Sequence, residues 1–156
     1  MALFVGRHRN KVDKKGRVSV PKPFRAAFER QSFAGVYLYP LFKFAALEAC
    51  SEEFMHRLAD SVDDLPMFSD EQDDLSVVLE NAAALPFDPE GRIVLPQELR
   101  EMAGIGDEAE FVGRGQRFQV WNPETYAEVR APTFERARVR GATLALRPRG
   151  LRGEEV

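Results

Sequence analysis

Cysteine is nearly absent. Cys50 is the only one in 156 residues, so no disulfide can close within a chain and no cysteine cluster can hold zinc; its expected role is that of a small buried apolar side chain. Histidine is almost as scarce. His8 lies in a basic run and His56 in an amphipathic stretch, and neither has a cysteine or carboxylate at ligand spacing. No apolar run approaches the roughly 18 residues of a spanning helix, and the N-terminus lacks the long apolar stretch and small-residue cleavage pattern of a secretory signal. A cytoplasmic protein without a membrane partner is expected. Gly113-Arg114-Gly115 is not followed by the Gly-Lys-Ser/Thr ending of a phosphate loop. Asp63, Asp64, Asp70, Asp73 and Asp74 lack the alternating ligands, central glycine and closing glutamate of a calcium loop, and read as a solvated acidic surface. These gaps argue against an enzyme, a metal or other cofactor, and a small-molecule substrate.

Basic residues are also missing from one long stretch. Residues 48–90 hold thirteen carboxylates against Arg57 alone, whereas residues 1–30 hold nine lysines and arginines against Asp13 and Glu29. The net charge of −3 hides a block of +7 and a block of −12. Segregation on this scale predicts one electropositive face and an acidic opposite side or connector. With 44% apolar and 30% charged residues the chain has enough material for a core.

What is present twice is a turn. Asp13-Lys14-Lys15-Gly16-Arg17 and Asp88-Pro89-Glu90-Gly91-Arg92 share a pattern, and each runs into a short β-leaning segment and a proline, Val18-Ser19-Val20-Pro21 and Ile93-Val94-Leu95-Pro96. An arginine closes each block, at Arg25 and Arg100. Aspartate at the first position of a type I turn and glycine at the fourth suit that geometry, and Pro89 stands where proline presets φ. Both stretches read as tight hairpins that push their intervening side chains outward. The repeat predicts two related halves: a first module over residues 1–47, a helical acidic connector over 48–82, a second module with its own C-terminal helix over 83–141, and a flexible basic tail over 142–156 carrying Arg147, Arg149 and Arg152.

Along the chain, strands are expected on both sides of a bend at Gly6, at 18–20, 36–40, 110–112 and 117–121, with an apolar run up to Phe87. Helices are expected over 21–29 and 96–102 and after Asn122, the last with a kink or restart at Pro132. Phe44, Leu47, Phe54, Leu58 and Val62 recur at helical spacing, so a helix is expected from about Leu41; Ser51 offers an alternative start after a break near Cys50. A further helix is marked by Leu75, Val78, Leu79 and Ala82. Matching Leu38-Tyr39-Pro40 to Val120-Trp121-Asn122 makes the first half seven residues shorter after Arg25, which predicts that one edge of its sheet is reduced or replaced by the connector.

Over roughly residues 2–130, the doubled Asp-x-x-Gly-Arg signature, each copy with a proline-started helix and an aromatic-proline strand exit, resembles the MraZ family of bacterial transcriptional regulators. The resemblance implies an α+β fold of tandem swapped-hairpin, AbrB- and SpoVT-like modules, in which hairpins of both halves interlock in a pseudo-twofold β-barrel unit with flanking helices. It also implies ring homo-oligomers on the nucleoid and binding to G-rich direct repeats in double-stranded promoter DNA upstream of division and cell-wall genes. The second turn departs from the basic pattern, with Pro89 and Glu90 in place of lysines.

Arginine can donate two parallel hydrogen bonds to guanine, and neighbouring lysines neutralise phosphate. Arg17 is therefore the candidate base reader, with Lys15 as companion and Lys14 as a phosphate contact or a solvated loop residue. The structural alternative for Arg17 is an ion pair with Asp13. Arg7, Arg9 and Lys11 read either as backbone contacts or as charges that protect an edge strand. Arg92 could face DNA or pair structurally with Asp88. Asp13, Gly16, Asp88 and Gly91 are the residues that shape the turns. A protein-interaction or assembly module without DNA reading is the alternative function, and the +7 block is what such a module would not need.

Overall fold

The computed structural model describes residues 2–148. In β1 (Arg7–Lys11) the side chains alternate, with Arg7, Arg9 and Lys11 on the exposed side. The first turn leads into β2 (Arg17–Ser19), whose only inward side chain is Val18. Pro21 has no N–H to continue the ladder and instead caps α1 (Lys22–Arg25), which tightens into a 3-10 turn at Ala26–Phe28. The helix expected over 21–29 is thus two short pieces, anchored by buried Phe24 and Phe28.

β3 (Gly35–Pro40) is followed by β4 (Leu47–Cys50), and this corrects the helix expected from Leu41. Leu47, Glu48, Ala49 and Cys50 are all buried, because β4 has strands on both edges and packed layers on both faces. Helix begins only at α2 (Glu52–Asp63), where the Ser51 hydroxyl accepts from the Phe54 amide at 3.2 Å. α3 (Asp70–Glu80) starts in the same way on Ser69 and completes the acidic connector. β4 straddles the division at 47/48.

The second half runs through β5 (Ala83–Pro86), β6 (Arg92–Val94), α4 (Gln97–Met102), β7 (Glu108–Gly113), β8 (Phe118–Trp121), α5 (Pro123–Val129) and α6 (Ala131–Arg140). Pro132 marks the restart between the last two helices, and Gly141 ends α6 in a left-handed conformation. The first half is not truncated. β3 and β4 correspond to β7 and β8, and Arg25 precedes β3 by ten residues where Arg100 precedes β7 by eight. Matching Tyr39 to Trp121 pairs β3 with the wrong strand, because the helical spacing of Phe44 and Leu47 hides β4.

The larger sheet has six antiparallel strands in the order β1-β7-β8-β4-β3-β5, and β2 pairs with β6 in a second sheet of two. Exchanging the halves leaves both orders unchanged. β1 pairs across with β7 of the second half, and β5 pairs back onto β3 of the first, so each half's leading strand is borrowed by the other. This is the α+β swapped-hairpin architecture. One face of the large sheet, with Leu38, Leu47, Phe111, Phe118 and Val120, packs on Val18, Ile93, Phe24 and Leu99 of the hairpin layer. The opposite face, with Tyr39, Cys50, Val112 and Trp121, packs on α2, α3 and α5. The helices α2, α3 and α5 therefore lie on the side of the sheet opposite the paired hairpins, whose layer also holds α1 and α4.

A polar group is buried at the β4–β8 seam under the helices. Tyr39 Oη donates to Glu48 Oε1 at 2.6 Å, Gln119 Nε2 donates to Glu48 Oε2 at 3.3 Å, and Arg117 Nε lies 3.2 Å from Glu48. Trp121 Nε1 donates to Gln119 Oε1 at 2.9 Å. Among the described residues no buried side-chain nitrogen or oxygen is left without a partner.

Candidate nucleic-acid interface

Each hairpin turn is closed by its aspartate. Asp13 Oδ1 accepts from the backbone N–H groups of Lys15 (2.9 Å) and Arg17 (2.8 Å), and its Oδ2 accepts from Arg17 Nε at 2.6 Å. Asp88 repeats this with Glu90 (2.9 Å), Arg92 (2.9 Å) and Arg92 Nε (2.7 Å). Gly16 and Gly91 take φ values of 84° and 79°, which only glycine adopts without strain. The aspartate, the glycine and the arginine are thus one folding unit: the carboxylate fixes the turn backbone and aims the guanidinium.

These contacts set the charge states. The Arg17 amide, then the Arg17 guanidinium and the Lys15 amide, hold the Asp13 carboxyl below its ordinary range. The Arg92 amide and guanidinium and the Glu90 amide do the same for Asp88, and the bond to Asp88 raises Arg92 in turn.

The two turns lock each other. Leu95 N donates to Gly16 O at 2.8 Å and Val20 N donates to Gly91 O at 3.1 Å, so each turn's glycine carbonyl is held by the strand end of the opposite half. The pairing Arg17↔Val94 and Ser19↔Arg92 puts both arginines on the outer face of the β2–β6 sheet, opposite buried Val18 and Ile93. There they line one concavity with Lys11, Asp107 and Glu108. Lys14 and Lys15 are exposed at the tip of the first turn.

The halves differ in what surrounds the arginine. Arg92 Nη2 also lies 3.5 Å from Glu90 Oε1, a contact that Lys15, at the equivalent place, cannot supply. The Arg17 side chain is 36% exposed and that of Arg92 26%. The first turn is the more open and the more positive of the two.

Arg7 and Arg9 do not join this cluster. β1 is an edge strand, and Arg9 Nε donates at 3.0 Å to Glu110, whose side chain is almost fully buried. The Arg7 guanidinium lies 5.4 Å from the centroid of the Tyr126 ring on α5. Both point to the helical side of the large sheet.

Sequence reasoning missed a crossover. Arg100 of α4 lies against Gly16 of the first turn, and Arg25 of α1 lies against Gly91 of the second while its Nη1 donates to Val20 O at 2.7 Å. The signal was the equal spacing of eight from Arg17 to Arg25 and from Arg92 to Arg100; that each arginine serves the other half's turn depends on the swap. Among the described residues no group of three or more His, Cys, Asp or Glu side chains is arranged to hold a metal ion, and no helix is long and apolar enough to cross a membrane.

Comparison with known proteins agrees with this geometry. The model of the family described as "MraZ protein, putative antitoxin-like" matches residues 78–138. The chain is 43% identical over 158 residues to the transcriptional regulator MraZ of Parvibaculum lavamentivorans, with 96% of this chain and 98% of that protein covered. It is 40% identical over 156 residues to the protein of the same name from Gluconacetobacter diazotrophicus, covering 97% and 96%. With that of Pelagibacter ubique the identity is 37% over 143 residues, covering 91% and 92%.

Proposed function

The chain belongs to the MraZ family and is a transcriptional regulator, and we propose that it works by reading double-stranded DNA with the turn 13–17. The observation that carries this reading is the locked pair of hairpins, which presents Arg17, Lys14 and Lys15 outward on a platform that does not need to fold on contact. A guanidinium has five N–H donors. The Nε bond to Asp13 orients its plane, and the terminal nitrogens then reach O6 and N7 of a guanine in the major groove while the two lysines neutralise phosphates. Arg92 supports the platform through Asp88 and Glu90 and adds a weaker contact. Arg7 and Arg9 act chiefly as edge-strand charges, in keeping with the Glu110 pair and the Tyr126 contact.

One turn offers few base contacts, so useful affinity comes from several turns held on one duplex. The targets are G-rich direct repeats in promoter DNA ahead of division and cell-wall genes, bound on the nucleoid by a ring of identical chains. The test is a gel shift with a G-rich repeat array. Arg17→Ala is expected to weaken binding by about 1–3 kcal/mol per contact, and Arg92→Ala by less. Affinity should also fall steeply with salt, with a slope near −0.9 per phosphate neutralised. If Arg17→Ala binds the array as wild type does while the assembly stays intact, the chain does not read DNA with this turn, and the protein-interaction module becomes the better account.

A further inference from the structure

Two carboxylates stand where a DNA-binding surface has least use for them. Asp107, and Glu108 at the start of β7, line the concavity of about 440 Å³ that also holds Arg17, Arg92 and Lys11. Asp107 further lines a concavity of about 260 Å³ on the other side of the first turn, with Lys14 and Arg100. Asp107 is exposed and Glu108 half-buried. Asp13 and Asp88 are committed to their own arginines, whereas among the described residues neither Asp107 nor Glu108 has a side-chain hydrogen bond or ion pair. Folding does not account for their charge.

The other half shows the same place without them. Val12 N donates to Asp107 O at 2.8 Å just ahead of the first turn, and Phe87 N donates to Ala34 O at 2.7 Å just ahead of the second. Ala34 and Gly35 thus occupy, beside the second turn, the places that Asp107 and Glu108 occupy beside the first. The carboxylates accompany only the cationic turn. Lys14 and Lys15 at the first tip have Asp107 and Glu108 as neighbours in the fold, while Pro89 and Glu90 at the second have two uncharged residues.

Charges placed this way decide what a guanidinium binds. Phosphate is the strongest partner for an exposed arginine, because both groups are ionised. A carboxylate in the same concavity repels phosphate and, being an acceptor only, is satisfied by a donor. In the major groove guanine offers neutral acceptors at O6 and N7, and the cytosine paired to it offers a donor at N4. Arginine beside carboxylate therefore suits the edge of a G·C pair and not the backbone. We propose that Asp107 and Glu108 are specificity-determining residues of the first turn, turning phosphate away from Arg17 and leaving it to the edge of a G·C pair. Lys14 and Lys15, exposed at the tip, keep the backbone contacts. This role rests on the DNA reading by turn 13–17, and it draws residues of the second half into the site of the first.

The experiment compares a G-rich repeat array with a random-sequence duplex of equal length in gel shifts of the full chain. Wild type, Arg17→Ala and the isosteric double variant Asp107→Asn with Glu108→Gln are measured side by side. Wild type should prefer the array. The double variant should bind the random duplex more tightly and lose about tenfold of that preference, the order of one base-pair discrimination. Its salt slope on random DNA should steepen by about 0.9, one further phosphate. A preference and a slope that both stay at the wild-type values overturn the assignment. Equal tightening on both duplexes overturns it too, because the charges then lower affinity for any DNA alike. Should the double variant fail to fold, Asp107→Asn alone takes its place with the same two readouts, since that side chain is exposed and without a bonded partner among the described residues. The two levels fail differently. If Arg17→Ala binds the array as wild type does, the DNA reading fails and this role with it; if Arg17→Ala weakens array binding while the double variant keeps its preference, only the role of Asp107 and Glu108 fails.

Discussion

Asp13 and Asp88 each hold two backbone amides and one guanidinium, so most of the turn's order passes through one carboxylate. Both carboxyls are held below their ordinary range, chiefly by the amide of the arginine four residues on. A folded-state pKa below the unfolded value means the contribution is fully present above about pH 4 and is lost as pH falls through the lowered value. Thermal melts should therefore show Asp88→Ala less stable than wild type at pH 7, with the difference narrowing in strong acid as the wild-type carboxylate protonates. Asp13→Ala should also weaken DNA binding, because the Arg17 guanidinium loses the bond that orients it. At Cys50 burial, with Glu48 close by, pushes the thiol up to about 12. Iodoacetamide at pH 8 should leave the native chain unlabelled and should modify Cys50 once denaturant unfolds it.

At the scale of elements, the swap depends on close backbone approaches between halves. Gly35 begins β3 where β5 crosses from the second half, and a Cβ there would overlap Leu85 O and come within 2.9 Å of Pro86 Cα. The Phe33 ring also stands in the way, and the β5 backbone, unlike a side chain, cannot turn aside. Gly35→Ala should cost about 1–3 kcal/mol in urea unfolding with an unchanged m value. The seam between β4 and β8 depends instead on Glu48, which serves Tyr39, Gln119 and Arg117 together. Glu48→Leu leaves those donors facing an apolar side chain and should destabilise by about 1–3 kcal/mol. The seam joins the two halves directly, so the loss should appear in one cooperative transition rather than as a separate melting of one half.

At the scale of the whole molecule, the sides divide the work. The paired hairpins face one way with the lysines and arginines of the first turn, and the acidic helices face the other, so a net charge of −3 is compatible with a local cationic surface. One turn on an isolated repeat offers few contacts, so an isolated repeat should be bound weakly. An array of repeats should add the gain from linked sites, on the order of 10²–10⁴. Comparing one repeat with four in the same gel shift checks this.

Much of the local structure was legible in the residues. The two turns follow from Asp and Gly at fixed places, and the starts of α2 and α5 from Ser51 and Asn122, because caps and turns are decided by a few neighbouring atoms. Other assignments needed the partner strand. Leu47–Cys50 shares a helical spacing with Phe54 and Leu58, and only flanking by β3 and β8 makes it a strand. For Arg9 the residues leave a DNA contact and an edge-strand charge both open, and only β7 brings Glu110 against it. The sequence by itself determined two equivalent turns and the sign of the charge on each side. The tertiary structure decided that each turn is held by the opposite half, through Leu95 on Gly16 and Val20 on Gly91. Those contacts join residues more than seventy positions apart, so no local pattern encodes them, and they follow only when both hairpins close over one core.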